Sequence, residues 1–166
     1  MLAGSGRSLL SLTDAEVGAL VLAAHLASGA PYSTAALSAI GKLTASLGQS
    51  QRIAVDDLRS RCRVAVSEVT ITPRVRSAVE DAVREQRVLQ IVYLDRNNVR
   101  TSRRVEPVGF YAADGLWSLI AWCRLRSDGR MFNLYRIQQA TGTKETFARR
   151  DVDEVLGWVP RPGTAP

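Results

Sequence analysis

Apolar positions change period along this chain. Over the first fifty residues they recur every three or four positions, and beyond position 87 they fall in short runs that alternate with polar residues. The first regime predicts amphipathic helices and the second predicts β-strands. Thr13-Asp14-Ala15-Glu16 has the form of a capping box, with Thr13 as N-cap and Glu16 three residues on. Val17, Leu20, Val21 and Ala24 follow at helical spacing, and Gly29-Ala30-Pro31 supplies the stop. A second helix, capped by Ser33 or Thr34, presents Ala36, Ile40, Leu43 and Leu47 on one face and ends at Gly48-Gln49-Ser50. The two are expected to pair as an antiparallel hairpin. Residues 51–72 are less regular. Arg59-x-Arg61-x-Arg63 followed by Val64, Val66 and Val69 reads as a strand with a basic exposed face. Thr72-Pro73 then opens a further helix with Pro at its first position. Val75, Val79, Ala82 and Val83 form its apolar face, Arg76, Glu80 and Arg84 lie on another, and Gln86-Arg87 closes it.

The β regime begins with Val88 to Asp95 and a turn at Arg96-Asn97-Asn98. Two Asp-Gly pairs, in Ala112-Ala113-Asp114-Gly115 and in Ser127-Asp128-Gly129, are expected to make tight reversals because Gly accepts positive φ. Between them Leu116 to Arg124 has the composition of a strand, and Met131 to Ile137 continues the pattern. Val99 to Phe110 alternates until Pro107, which suits an edge or a strand end. A last strand should run from Ile137 towards Phe147, with a short helix over Asp151 to Leu156. Residues 1–10 and the stretch Pro160 to Pro166 read as frayed or disordered ends. The expectation is an α+β chain, a helical segment followed by a small antiparallel barrel.

Arginines recur within the β-rich stretch, and the two-residue period of a strand says where they point. With Val105 facing inward, Arg103 shares its face; with Phe132 and Leu134 inward, so do Arg130 and Arg136. An unpaired charge in the middle of a core costs several kcal/mol or more. These arginines therefore belong at the mouth of the barrel, where an anion meets them. The alternative is that they pair with Asp95, Glu106 or Asp128, or lie in solvent.

Residues 88–147 resemble a WYL domain, the ligand-sensing module of a group of bacterial transcription regulators. The matching elements are Arg103-x-Val105-x-Pro107, Gly109-Phe110, and Trp117-Ser118-Leu119 with Ile120-Ala121-Trp122-Cys123. They continue through Leu125-Arg126-x-Asp128-x-Arg130-x-Phe132 to Arg136-Ile137. Three positions depart from the family's pattern. Ser118 stands in place of the usual Tyr, and Asn133 and Tyr135 replace an arginine and an aspartate. The resemblance implies an SH3-like or Sm-like barrel and a ligand that is a nucleic acid or nucleotide, single-stranded DNA among them. Arg103, Arg130 and Arg136, with Tyr93, Ser118 and Asn133, are the expected binding residues. Phosphates would take the cations and bases the rings.

Composition narrows this further. The formal charge is +6, and residues 73–166 carry sixteen basic residues against eleven acidic, so the β-rich half is the basic half. All basic residues but Lys42 and Lys144 are arginines, a bias that phosphate recognition and base composition of the gene explain equally well. Cys62 and Cys123 stand alone, which disfavours a zinc site; Cys123 reads as a small core residue. His25 has no acid or nucleophile placed with it and reads as structural or exposed. Trp117 and Trp122 have opposite strand parity, so one of them at most joins the arginine surface, and Trp117 reads as core. No signal peptide is visible and no apolar run reaches about 20 residues, so a cytoplasmic protein is expected. No P-loop, Ser-His-Asp set or carboxylate pair marks an enzyme, and no cofactor is expected.

The expected organisation is a helical hairpin and connector over 1–72, the barrel with its leading helix over 73–150, and a short helix and tail over 151–166. Too few residues precede the first helix for a helix-turn-helix, which needs on the order of 60. The reading is either a sensor-only protein or a fragment of a longer regulator, with a helix-turn-helix partner in trans or a homodimer as partners. Its competitor is a pure interaction module in which the barrel no longer binds a ligand.

Overall fold

The computed structural model describes residues 12–27, 29–61, 71–113 and 115–157. Cys62, Val64, Val66, Val69 and both expected frayed ends lie outside them. The chain divides into two compact units at about residue 66.

The first unit is helical. α1 spans Asp14–Leu26, and its capping box forms as expected: the Glu16 N–H donates to Thr13 Oγ1 at 3.3 Å while the Thr13 N–H donates to Glu16 Oε2 at 2.7 Å. α2 spans Ser33–Ala45, but neither Ser33 nor Thr34 caps it. Tyr32 occupies the N-cap in a left-handed conformation, and no side-chain hydrogen bond caps the helix. The expected strand is corrected at its start: Gln49–Arg61 is a helix, α3. Its Arg61 pairs with Asp57 one turn back, and Arg59 and Arg61 are both exposed on the helix. Val55 packs with Val17 and Val21 as the buried core of the unit, with Leu12, Ile40, Leu43 and Leu47 around it. Gly18 lets α1 and α3 approach closely; a Cβ there would lie 2.7 Å from Leu58 Cδ2.

The second unit opens with α4, Pro73–Glu85, closed by Gln86 in the left-handed conformation. Five strands follow: β1 Arg87–Leu94, β2 Arg100–Ala113, β3 Leu116–Cys123, β4 Asp128–Asn133 and β5 Ile137–Thr146. A 3₁₀ turn, Leu134–Arg136, joins β4 to β5, and α5, Val152–Leu156, follows with Asp151 as its side-chain cap. All pairings are antiparallel in the order β4-β3-β2-β1-β5. The sheet is open rather than a closed barrel, because β5 returns to β1 and makes no ladder with β4. It is nonetheless curled. In a flat sheet β1 and β4 would lie about 14 Å apart, three strand spacings. The rings of Tyr93 on β1 and Phe132 on β4 instead meet edge to face at 5.2 Å between centroids.

One face of the sheet is the core. Leu89, Ile91, Val105, Leu119, Ala121, Cys123, Phe132 and Ile137 pack there against Val75, Val79 and Ala82 of α4. Trp117 packs at its margin and Cys123 is fully buried, as their sequence contexts suggest. On the other face α5 crosses β3 and β4.

Three strand expectations are corrected. β2 runs on past Pro107 as a central strand, tolerating the missing N–H because its register with β3 shifts between Pro107 and Gly109. Asp128-Gly129 does not form the second turn; it lies within β4, and Ser127, at φ +49°, carries the reversal. Leu134–Arg136 leaves the strand, so parity does not govern Arg136.

Candidate functional site

Four of the six expected binding residues are brought together by the curl, at the end of the sheet where β4 turns into β5. Ser118 and Asn133 are register partners across β3 and β4, and the Ser118 hydroxyl donates to Asn133 Oδ1 at 2.7 Å. The Asn133 amide donates in turn to the Tyr135 hydroxyl at 3.3 Å, and Arg136 Nε approaches that oxygen at 3.5 Å. Arg136 Nη1 then donates to the Asp95 carbonyl at 2.7 Å, which ties the 3₁₀ turn to the end of β1. Tyr93 completes the seam: its hydroxyl faces the main-chain N–H of Asn133. Burial raises the Tyr93 hydroxyl above its ordinary value, and the Asn133 N–H and the Arg136 charge oppose that rise. The hydrogen bond that Arg136 donates to the Tyr135 hydroxyl oxygen raises Arg136 above its ordinary value.

Arg103 stands one rung away. It lies opposite Ile91 on the core face, as parity requires, and its Nε reaches the hydroxyl of Thr101, the register partner of Tyr93, at 3.4 Å. Arg130 is not part of this group. It lies opposite Ala121 on the edge strand, half exposed, and its nearest carboxylate is Asp128 at 3.9 Å. Electrostatically the two kinds of arginine differ. Arg103 and Arg136 are partly buried and, among the described residues, stand in no ion pair; their partners are hydroxyl and carbonyl oxygens. Such groups leave the cation's charge uncancelled, so an anion gains more here than beside a paired arginine.

A second polar centre was not expected from the sequence. Glu106, with its side chain 8% exposed, sits on the α5 face of β2 and accepts two guanidinium bonds. Arg124 Nε reaches Oε1 and Arg150 Nε reaches Oε2, each at 2.9 Å. Arg150 also lies over the Trp122 ring, 4.8 Å from its centroid. Arg124 and Arg104 converge on Glu145, whose carboxyl they hold below its ordinary value. The alternation Arg104-x-Glu106 was a usable signal, since it places a cation and a carboxylate on one strand face. His25 is satisfied locally, its Nδ1 2.7 Å from the Val21 carbonyl. No group of His, Cys, Asp and Glu among the described residues is arranged to hold a metal.

Three comparisons with known proteins place this chain among relatives. A curated relative in Bacillus subtilis (strain 168), an uncharacterized HTH-type transcriptional regulator named YobV, is 27% identical over 85 residues. That alignment covers 51% of this chain and 27% of the relative, so the chain spans about a quarter of the protein it matches. Among solved structures, proteasome accessory factor B/C (PafBC) of Arthrobacter aurescens aligns over 81% of this chain and 21% of its own, at 23% identity and a TM-score of 0.42. The family model described as the WYL domain matches residues 74–141, from the first turn of α4 into β5. Over residues 74–141 this chain is therefore similar to a WYL domain.

Proposed function

We propose that this chain is the non-enzymatic sensory part of a WYL-type transcription regulator, acting in the cytoplasm. Its ligand is anionic, a single-stranded nucleic acid or a nucleotide, held by Arg103 and Arg136 beside Tyr93 and the Ser118–Asn133 pair. The relationship to a helix-turn-helix regulator supports the regulatory role. The curl that brings Tyr93 onto Phe132 supports reading the sheet as a small SH3-like or Sm-like barrel. One observation carries the ligand assignment: two partly buried arginines at one end of the sheet with no carboxylate partner among the described residues. Arg130, beside Asp128 on the edge strand, has a peripheral part in this reading.

The test is a titration of a fluorescent oligothymidylate at two salt concentrations. Arg103→Ala and Arg136→Ala should each weaken binding by about 1–3 kcal/mol, as expected for loss of a charge-assisted hydrogen bond. Arg130→Ala should have a smaller effect. Asn133→Arg, which restores the family's cation, should tighten binding. A parent protein that binds no oligonucleotide or mononucleotide, or alanine variants that bind like the parent, would refute the assignment. The alternative, a pure interaction module, draws on a different observation. Asn133 and Tyr135, two of the departures from the family pattern, bond each other and Arg136, and so occupy groups a ligand would need.

A further inference from the structure

The second unit also holds a basic cleft away from the seam. On the opposite side of β2 from Arg103 along the strand, a cleft of about 760 Å³ opens between the end of α4, the Pro107–Val108 bulge and the segment that links β5 to α5. Three arginines from separate places in the sequence line it: Arg84, Arg149 and Arg150. Two of them are fixed in advance, Arg84 by Asp81 and Glu85 and Arg150 by Glu106 and the Trp122 ring. Arg149 is exposed and, among the described residues, is in no ion pair. The lining includes one carboxylate, Asp151, and its oxygen is committed to the cap of α5, where it accepts from the Asp153 N–H at 2.8 Å. Apart from Gln86, the rest of the lining is apolar and includes Pro107, Val108 and Phe147. Phe147 is anchored by its own N–H, which donates to the Gln86 carbonyl at 3.1 Å and so fixes one end of the cleft.

We propose that this cleft is a second binding site, for a small organic anion with an apolar body, such as an aryl carboxylate. The size falls within the range of small-molecule pockets, and the walls combine what such a ligand needs. An apolar surface takes the ring, a cation with no carboxylate of its own takes the head group, and two arginines already held in place add no ordering cost. A bare phosphate would leave the apolar wall unused. The site lies outside the residues assigned to the nucleic-acid ligand, so it stands or falls independently of that reading.

The full chain, labelled with ¹⁵N, would be titrated with 1-naphthoate, and in parallel with inorganic phosphate and with oligothymidylate. The expected result is saturable shifts of the amides of Arg84, Gln86, Val108 and Phe147 to Val152, with a dissociation constant on the order of 1 mM or tighter. Arg149→Ala should weaken naphthoate about fivefold or more, and Val108→Glu, which puts a carboxylate into the cleft, should abolish it. Both variants should keep the parent spectrum elsewhere, and Arg136→Ala should leave naphthoate binding unchanged. The proposal is overturned if no shift saturates, if the shifts cluster at Tyr93 and Arg136, or if both cleft variants bind like the parent. Phosphate binding as tightly as naphthoate at the same amides would overturn the assignment of an apolar-bodied ligand.

Discussion

Glu106 offers the sharpest test of what holds the second unit together, through the change Glu106→Gln. The side chain is 8% exposed, and each of its oxygens accepts one guanidinium N–H at 2.9 Å. Glutamine keeps the shape but presents only one acceptor. Whichever way the amide turns, its NH₂ group meets an arginine donor, and one buried charge-assisted hydrogen bond becomes a donor–donor contact. Loss of such a bond costs about 1.5–3 kcal/mol. Removing the partner of a fully buried charge costs about 3–5 kcal/mol. Here Arg124 and Arg150 are themselves 29% and 40% exposed, and Arg124 keeps Glu145, so water takes up part of the loss. The expected destabilisation is therefore about 2 kcal/mol. Urea unfolding followed by tryptophan fluorescence measures it, since Trp122 lies under Arg150 and Trp117 at the core margin. Glu145→Gln, at a more exposed carboxylate, is the control and should change stability by less than about 1 kcal/mol. If the two variants are equally mild, the Glu106 cluster is not the tie that its geometry describes.

Two further outcomes follow from local geometry. Gly129→Ala would place a Cβ 1.5 Å from the Val155 carbonyl oxygen, so α5 must leave its seat. Hydrogen exchange should show α5 losing protection while β1 and β2 keep theirs, and a variant in which α5 stays protected would contradict the contact. The Glu16 carboxyl is held below its ordinary 4.5 by the Thr13 N–H and hydroxyl of the capping box. A depressed carboxylate stabilises above its unfolded value, and that support disappears as pH falls from about 4.5 through the lower folded value. Helicity should thus drop on acidification across that window and less so in Glu16→Gln, whereas matched titrations would remove Glu16 from the account.

Elements whose signals are local were legible in the chain. The Thr13–Glu16 box, the Thr72-Pro73 start and the alternation from Val88 onward each act within one or two turns of their own position. The family's ordered motif was legible too, from Arg103 to Ile137. What failed depended on partners distant in sequence. Gly129 looks like a turn residue and is in fact a seat for α5, a role visible only once Val155 is beside it. Pro107 looks like a strand end because the register shift that accommodates it belongs to the β2–β3 pair. The candidate site was half legible. Parity placed Arg103 correctly, but Arg136 lies in a 3₁₀ turn, and only the Ser118–Asn133 register shows how the departing residues bond each other.

The open order of the sheet also sets the sequence of events as the chain folds. β1 through β4 form a meander of near neighbours, whereas β5 must return to β1 across three intervening strands and a 3₁₀ turn. Contacts of such separation form late, because the loop entropy comes first. Until β5 arrives, the outer main chain of Val88–Leu94 is unpaired, and that segment, Val-Leu-Gln-Ile-Val-Tyr-Leu, carries no charge and no proline. It has the composition that pairs with other copies of itself. Pairing with β5 is thus what covers this edge, and a shortened chain that ends before β5 would leave it open.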